Sequence, residues 1–156
     1  FLAKAGLVST TSTRDVILQR VAEVVAAAGS RIKIAGDILQ YREFFEEDDD
    51  IAYDAKAVTK RLCADGAVDR LRKFRDELAT VEPFNAETVE RLLQQFIEQQ
   101  GITIGQIIHA VRVAVTGKAV GFGVFEGLAI LGRQACLNRI DRAVAMIQTS
   151  KRSELG

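Results

Sequence analysis

Cysteine, proline, histidine and methionine are scarce in this chain of 156 residues, with two Cys and one each of the other three. Two cysteines, Cys63 and Cys136, each in apolar helix-like surroundings, exclude a disulfide framework and read as reduced core thiols. The single histidine, His109, has no Cys, His or carboxylate neighbour at ligand spacing, so no zinc site is predicted. No nucleophile-elbow signature accompanies it, which leaves His109 a structural role. Gly117-Lys118 lacks the glycine spacing before it and the Ser or Thr after it that a P-loop requires. The acidic run Glu46-Glu47-Asp48-Asp49-Asp50 lacks the glycine and glutamate of a calcium loop and is read as solvated. No catalytic and no metal-binding residue is therefore assigned. No apolar run approaches the ~20 residues of a membrane span, and no signal-peptide pattern opens the chain. A cytoplasmic location follows as an expectation.

An excess charge of either sign is also missing. Lys plus Arg total 21 and Asp plus Glu total 21, so the net charge is zero. That counts against a strongly basic nucleic-acid clamp, but not against a local basic face, because charge distribution steers binding. Lys60, Arg61, Arg70, Arg72, Lys73 and Arg75 are a candidate set for such a face, with Asp65, Asp69, Asp76 and Glu77 interspersed.

Hydrophobic residues make up 48% of the chain, which excludes a disordered tail. At this size ~70% of the unfolded surface can be buried without a disulfide or metal. Apolar residues recur at helical spacing from Val16 to Ala28, with Ser12 and Asp15 as a capping pair and Gly29 as the stop. A second helix is expected over 32–45, with Ile34, Ile38, Leu39 and Tyr41 facing inward. Further helices are expected at 54–64, 66–80, 86–100, 104–114, 123–131 and 133–148. Asn85 caps the fifth, whose apolar stripe is Val89, Leu92, Leu93, Phe96 and Ile97. Strands at 102–108 or 111–115 remain an alternative, since Ile and Val are frequent there. The fold class is all-α, a compact bundle or cage of about seven or eight helices in two packed subdomains. Their expected limits are 1–82 and 83–150, with a disordered tail at 151–156.

One stretch stands out from this helical background. His109-Ala110-Val111-Arg112-Val113-Ala114-Val115-Thr116-Gly117 sets an arginine in an apolar run that ends on glycine. Gly121-Phe122-Gly123-Val124-Phe125-Glu126 follows as a glycine-rich corner before a new helix. A guanidinium presents paired donors to a phosphate or an unpaired base edge. Gly121 and Gly123 allow close approach of a nucleotide to the backbone, and Phe122 offers a face for stacking. The N-terminus of the helix after the corner favours an anion.

These residues resemble the C-terminal, anticodon-binding region of bacterial glutamyl-tRNA synthetases, class I aminoacyl-tRNA synthetases. The likeness is carried by Val111-Arg112-Val113-Ala114-Val115-Thr116-Gly117, Gly123-Val124-Phe125-Glu126, and Leu131-Gly132-Arg133 through Leu137-Asn138-Arg139-Ile140. Phe1 to Leu7, Phe44-Phe45-Glu46-Glu47-Asp48 and Phe84-Asn85-Ala86-Glu87 are similar to further family segments. Ala110 and Phe122 stand where the family has prolines, and Gly121 where Thr or Ser is usual. The resemblance implies that Arg112, Lys118, Gly121, Phe122, Gly123 and Val124 contact a tRNA anticodon arm. It implies that Arg31 reads a further anticodon base if one residue is deleted before Phe44-Phe45.

The resemblance also implies a division of labour. This segment binds tRNA of the Glu or Gln type and has no cofactor of its own. Aminoacylation, with ATP and magnesium, belongs to an N-terminal catalytic domain of the same, monomeric polypeptide. The chain begins at Phe1 in the middle of a helix-like pattern, which suits a piece of such a protein. Two alternatives stay open: an appended domain of a glutaminyl-tRNA synthetase giving general tRNA affinity, and a helical protein-interaction module without an RNA role.

Overall fold

Helices dominate because the apolar residues repeat at 3.6-residue spacing and β-turn signals are few. The computed structural model describes residues 1–6 and 14–155; the Thr10–Thr13 cap cluster, with Ser12, lies outside them. Among the described residues there is no strand, so the alternative at 102–108 and 111–115 does not apply. Among the described residues seven α-helices are present: α1 (Arg14–Ala28), α2 (Ala55–Ala57), α3 (Ala67–Leu78), α4 (Ala86–Gln100), α5 (Ile108–Thr116), α6 (Val124–Leu131) and α7 (Arg133–Leu155). 3-10 helices cover Gly29–Arg31, Ala35–Phe44 and Ile104–Gln106, and a π turn, Val58–Leu62, continues α2.

The α4 limits coincide with those expected, because both ends are specified locally. Asn85 accepts from the Thr88 N–H at 2.9 Å, and Gly101 closes the helix at φ +62°. Val89, Leu93 and Phe96 are fully buried along one stripe. The segment expected as one α-helix over 32–45 differs. It is a 3-10 helix kinked at Tyr41 (φ −113°, ψ 29°). Asp37 accepts from the N–H groups of Lys33 and Ile34 and so starts it late. Ile38 and Tyr41 are buried as expected, whereas Ile34 is exposed. The helix expected from 104 begins as the 3-10 turn Ile104–Gln106 and becomes α only at Ile108. The α7 helix runs past the expected end at 148, so residues 151–155 continue it rather than forming a separate tail.

The buried residues form one cluster from Leu2 to Ile147. The α7 helix packs on both α3 and α5, while α6 packs on α4 and α1. Cys136 lies in this core, its thiol pushed up to about 12 by burial, but Cys63 is exposed, contrary to its expected place in the core. Outside the core, α1 leaves Val16, Leu18 and Val25 exposed.

Candidate nucleic-acid interface

The candidate site grows out of the end of α5. Gly117 turns the chain there at φ +76°, and its Cα faces the backbone of the loop before α2. A Cβ at this position would come within 2.0 Å of the Ala52 carbonyl oxygen, so only glycine lets the two segments meet. The Asp54 N–H donates to the Gly117 carbonyl at 2.9 Å. One turn back, the Thr116 hydroxyl donates to the Arg112 carbonyl at 2.8 Å and accepts from the Lys118 N–H at 3.2 Å. The Arg112 end of α5 is therefore held from two sides.

Arg112 itself lies half-buried beside the glycine corner. Its Nη1 donates to the Phe122 carbonyl at 3.1 Å, and its Nε is buried without a partner among the described residues. Burial and the nearby Arg31 guanidinium push its pKa below the usual arginine range. No ion pair to Arg112 or Arg31 occurs among the described residues. A half-buried cation with an unmet donor and no ion pair among the described residues is a place where an anion is favoured.

The glycine corner presents less than its sequence promised. Phe122 is 5% exposed and stacks on Phe44, with ring centroids 4.9 Å apart, and tilts against Tyr41 at 5.4 Å. It is a core residue and offers no face to a base, because three rings together bury more surface than one ring on solvent would. Val124 is also buried, so any contact there is with its backbone. The Glu126 carboxylate lies against Gly123, where a Cβ would come within 1.9 Å of its Oε2. The start of α6 thus already has an anion beside it, contrary to the phosphate seat expected there. Lys118 spans to the Gln40 carbonyl and to Glu43 Oε2, each at 2.6 Å. Its partner Glu43 is buried, and desolvation raises that carboxyl's pKa despite the lysine.

The predicted residues line two clefts that share Gly121, with Phe122, Gly123 and Val124 in the one that holds Arg112. Arg31, Lys118 and Gly121 line one open surface pocket of about 420 Å³ with Gln40, Tyr41, Glu43 and Val120. Gly121 also borders a smaller cleft with Arg112, where a Cβ on it would sit 3.6 Å from Nη1. The floor of this region rests on a residue that the sequence assigned no role. Arg139, 2% exposed, pairs with Asp48 at 2.7 Å and donates to the carbonyls of Glu43, Glu46 and Val115. Part of the acidic run is therefore an anchor, not a solvated loop. An arginine beside Ile140 and at helical spacing from the apolar Cys136 and Ala143 is the signal that marks it. His109, read as structural, has its pKa lowered by burial and by the cations Arg61, Arg112 and Lys60. Among the described residues no group of three or more His, Cys, Asp or Glu side chains is placed to hold a metal ion.

Comparison with known proteins places this geometry in context. A family profile described as an anticodon binding domain matches residues 6–144. A glutamate–tRNA ligase of Desulforudis audaxviator is 34% identical over 149 residues, covering 94% of this chain and 29% of the relative. One from Moorella thermoacetica is 34% identical over 128 residues, covering 82% of this chain and 26% of the relative. The chain therefore spans under a third of the length of these relatives. A crystal structure of a glutamate tRNA ligase from Elizabethkingia meningosepticum superposes with a TM-score of 0.77 over 92% of this chain and 27% of that one. At 16% identity this last likeness speaks for the fold alone.

Proposed function

This chain belongs to the anticodon binding domain family, and from that premise we propose that it holds the anticodon arm of a tRNA. Its relatives carry the name glutamate–tRNA ligase, which favours a glutamate-type tRNA over a glutamine-type one. Aminoacylation, with ATP and magnesium, belongs in this reading to the part of the relatives' length that this chain does not span. The domain acts as a monomer in the cytoplasm. It performs no chemistry and positions the tRNA for a catalytic domain of the same polypeptide. The division into subdomains at 1–82 and 83–150 is part of the same proposal.

The observation that carries the reading is the Arg31–Arg112 pair. Two cations without acidic partners among the described residues lie together at the rim of the Gly121 pocket. Single-stranded loops are read by splaying bases into such clefts and bonding their edges. Arg112 reads one anticodon base and Arg31 another. Lys118, Gly121 and Gly123 shape the pocket, and Val124 and Phe122 support it from beneath. Arg112→Ala should weaken tRNA binding by ~1–3 kcal/mol if the guanidinium makes a bidentate base contact. Filter binding of the variant with an intact far-UV spectrum is the measurement.

A second reading rests on the exposed apolar residues of α1, Val16, Leu18 and Val25, with Phe1 and Ile34. These suit contact with another polypeptide surface. They line none of the Arg31 pocket, so the two roles use different residues. Unchanged tRNA affinity in Arg112→Ala would remove that residue from the site, whereas no tRNA binding by the parent protein would leave only this interaction role.

A further inference from the structure

The basic residues between 60 and 75 are divided by the fold into two groups. On α3, Arg70 donates to the carbonyls of Asp65 and Gln106, and Lys73 donates to Gln100 at 3.0 Å. Arg75 pairs with Asp141 at 2.8 Å, and Arg72 lies 3.9 Å from Asp69. Arg70, Lys73 and Arg75 are occupied by the protein's own acceptors, and Arg72 has only the long, exposed contact to Asp69. Lys60 and Arg61 sit instead on the π turn Val58–Leu62 and form no ion pair among the described residues. That turn packs directly against α5. His109 and Arg112 lie three residues apart on α5, a spacing that puts them on one helix face.

We propose that Lys60, Arg61 and His109 extend the Arg31–Arg112 site into a continuous phosphate-binding stripe along which the RNA backbone leaves the base-reading pocket. The inference rests on the anticodon-arm reading and adds to it the path of the strand. The charges acting on His109 are those of Arg61, Arg112 and Lys60, and the charge acting on Arg112 is that of Arg31. Four cations in series, Lys60, Arg61, Arg112 and Arg31, repel one another in the free protein; burial and three of them favour the neutral imidazole of His109, a hydrogen-bond donor. In a chain of zero net charge such a concentration is not a consequence of composition. A row of phosphates relieves the repulsion and releases condensed counterions, which makes the affinity salt-dependent. Arg112 is then the junction between two kinds of contact, base edges on its Arg31 side and phosphates on its His109 side. On this π turn Lys60 is exposed and Arg61 half-buried while Leu62 stays in the core.

The test is the salt dependence of tRNA binding by the whole chain, with the double variant Lys60→Ala/Arg61→Ala beside Arg72→Ala/Lys73→Ala. Two lost phosphate contacts on a single strand lower the slope of log K against log salt by about 1.4. Between 50 and 200 mM salt the parent protein then loses roughly sevenfold more affinity than the variant. The loss should be equal for tRNAs with different anticodons, since phosphates carry no sequence, whereas Arg112→Ala changes the preference among them. The α3 variant should keep the parent slope. Binding by the parent protein with an unchanged slope in the Lys60/Arg61 variant overturns the stripe and leaves the anticodon reading standing. So does an equal change in both double variants, because it would assign the effect to net charge. Absence of tRNA binding by the parent protein itself removes both.

Discussion

Phe122 shows how one side chain can be committed to the core while its backbone serves the surface. Its ring fills the space between Tyr41, Phe44 and Gly127, and its carbonyl accepts from Arg112. Phe122→Ala should therefore cost ~3–5 kcal/mol of folding stability, seen as a lower thermal midpoint. A melt like that of the parent would place the ring outside the core. His109 makes the opposite case, a side chain whose setting is electrostatic. Its folded-state pKa lies below its ordinary value of 6.5, because burial and the cations Arg61, Arg112 and Lys60 oppose its charge. The unfolded chain therefore takes up this proton first. The contribution of His109 to stability is complete above its ordinary value and is lost as pH falls through it toward the lower folded value. His109→Gln should flatten that part of the pH dependence, and comparing thermal midpoints at pH 8 and pH 5.5 checks it. Neither setting was legible from residue type, since one aromatic and one histidine in a glycine-rich stretch are compatible with binding and with burial alike.

At the scale of elements, what was legible depended on whether an end was specified locally. The α4 limits followed from Asn85, Gly101 and a clean apolar stripe, all within one stretch of sequence. The Ala35–Phe44 segment carried an equally plausible pattern, but its start is taken by Asp37 and its path bends at Tyr41, which packs on Phe122 far along the chain. Glycines at helix ends divide in the same way. Gly101 and Gly117 both close helices at positive φ, yet nothing lies within 4 Å of a Cβ on Gly101, while on Gly117 it meets the Ala52 backbone at 2.0 Å. Gly101→Ala should cost about 1–2 kcal/mol for the left-handed backbone alone. Gly117→Ala should cost clearly more, because the loop before α2 must also move. Equal denaturant midpoints for the two variants would show that the contact at Ala52 contributes nothing.

Across the whole molecule, Arg139 joins parts of the chain that local sequence keeps apart. It belongs to α7, yet it holds Asp48, Glu46 and Glu43 from the first half and Val115 at the end of α5. A buried guanidinium with four acceptors is costly to break, since three backbone carbonyls and the Asp48 carboxylate lose a charged donor together. Arg139→Met should lower stability by ~3–5 kcal/mol, measured by chemical denaturation. It should also loosen the Glu43–Lys118 side of the Gly121 pocket. Arg112 and Arg31 came into view from sequence through an arginine in an apolar run and a family resemblance. Lys60 and Arg61 came into view only within a larger basic set, and their separation from Arg70, Lys73 and Arg75 depends on a π turn and on which cations find internal acceptors.

The amino-acid sequence by itself determined an all-helical chain, most of its helix limits, and the family to which the Arg112 stretch belongs. Those properties are written in the spacing of apolar residues, in caps and in glycine stops, all of which act between near neighbours. Tertiary structure alone decided which charges are satisfied. Whether an arginine, a lysine or a glutamate is bonded internally depends on what another helix brings to it. Pairing consumes Lys118, Arg75 and Asp48, and it leaves Arg31, Arg112, Arg61 and Lys60 as the cations gathered around His109 and the Gly121 pocket.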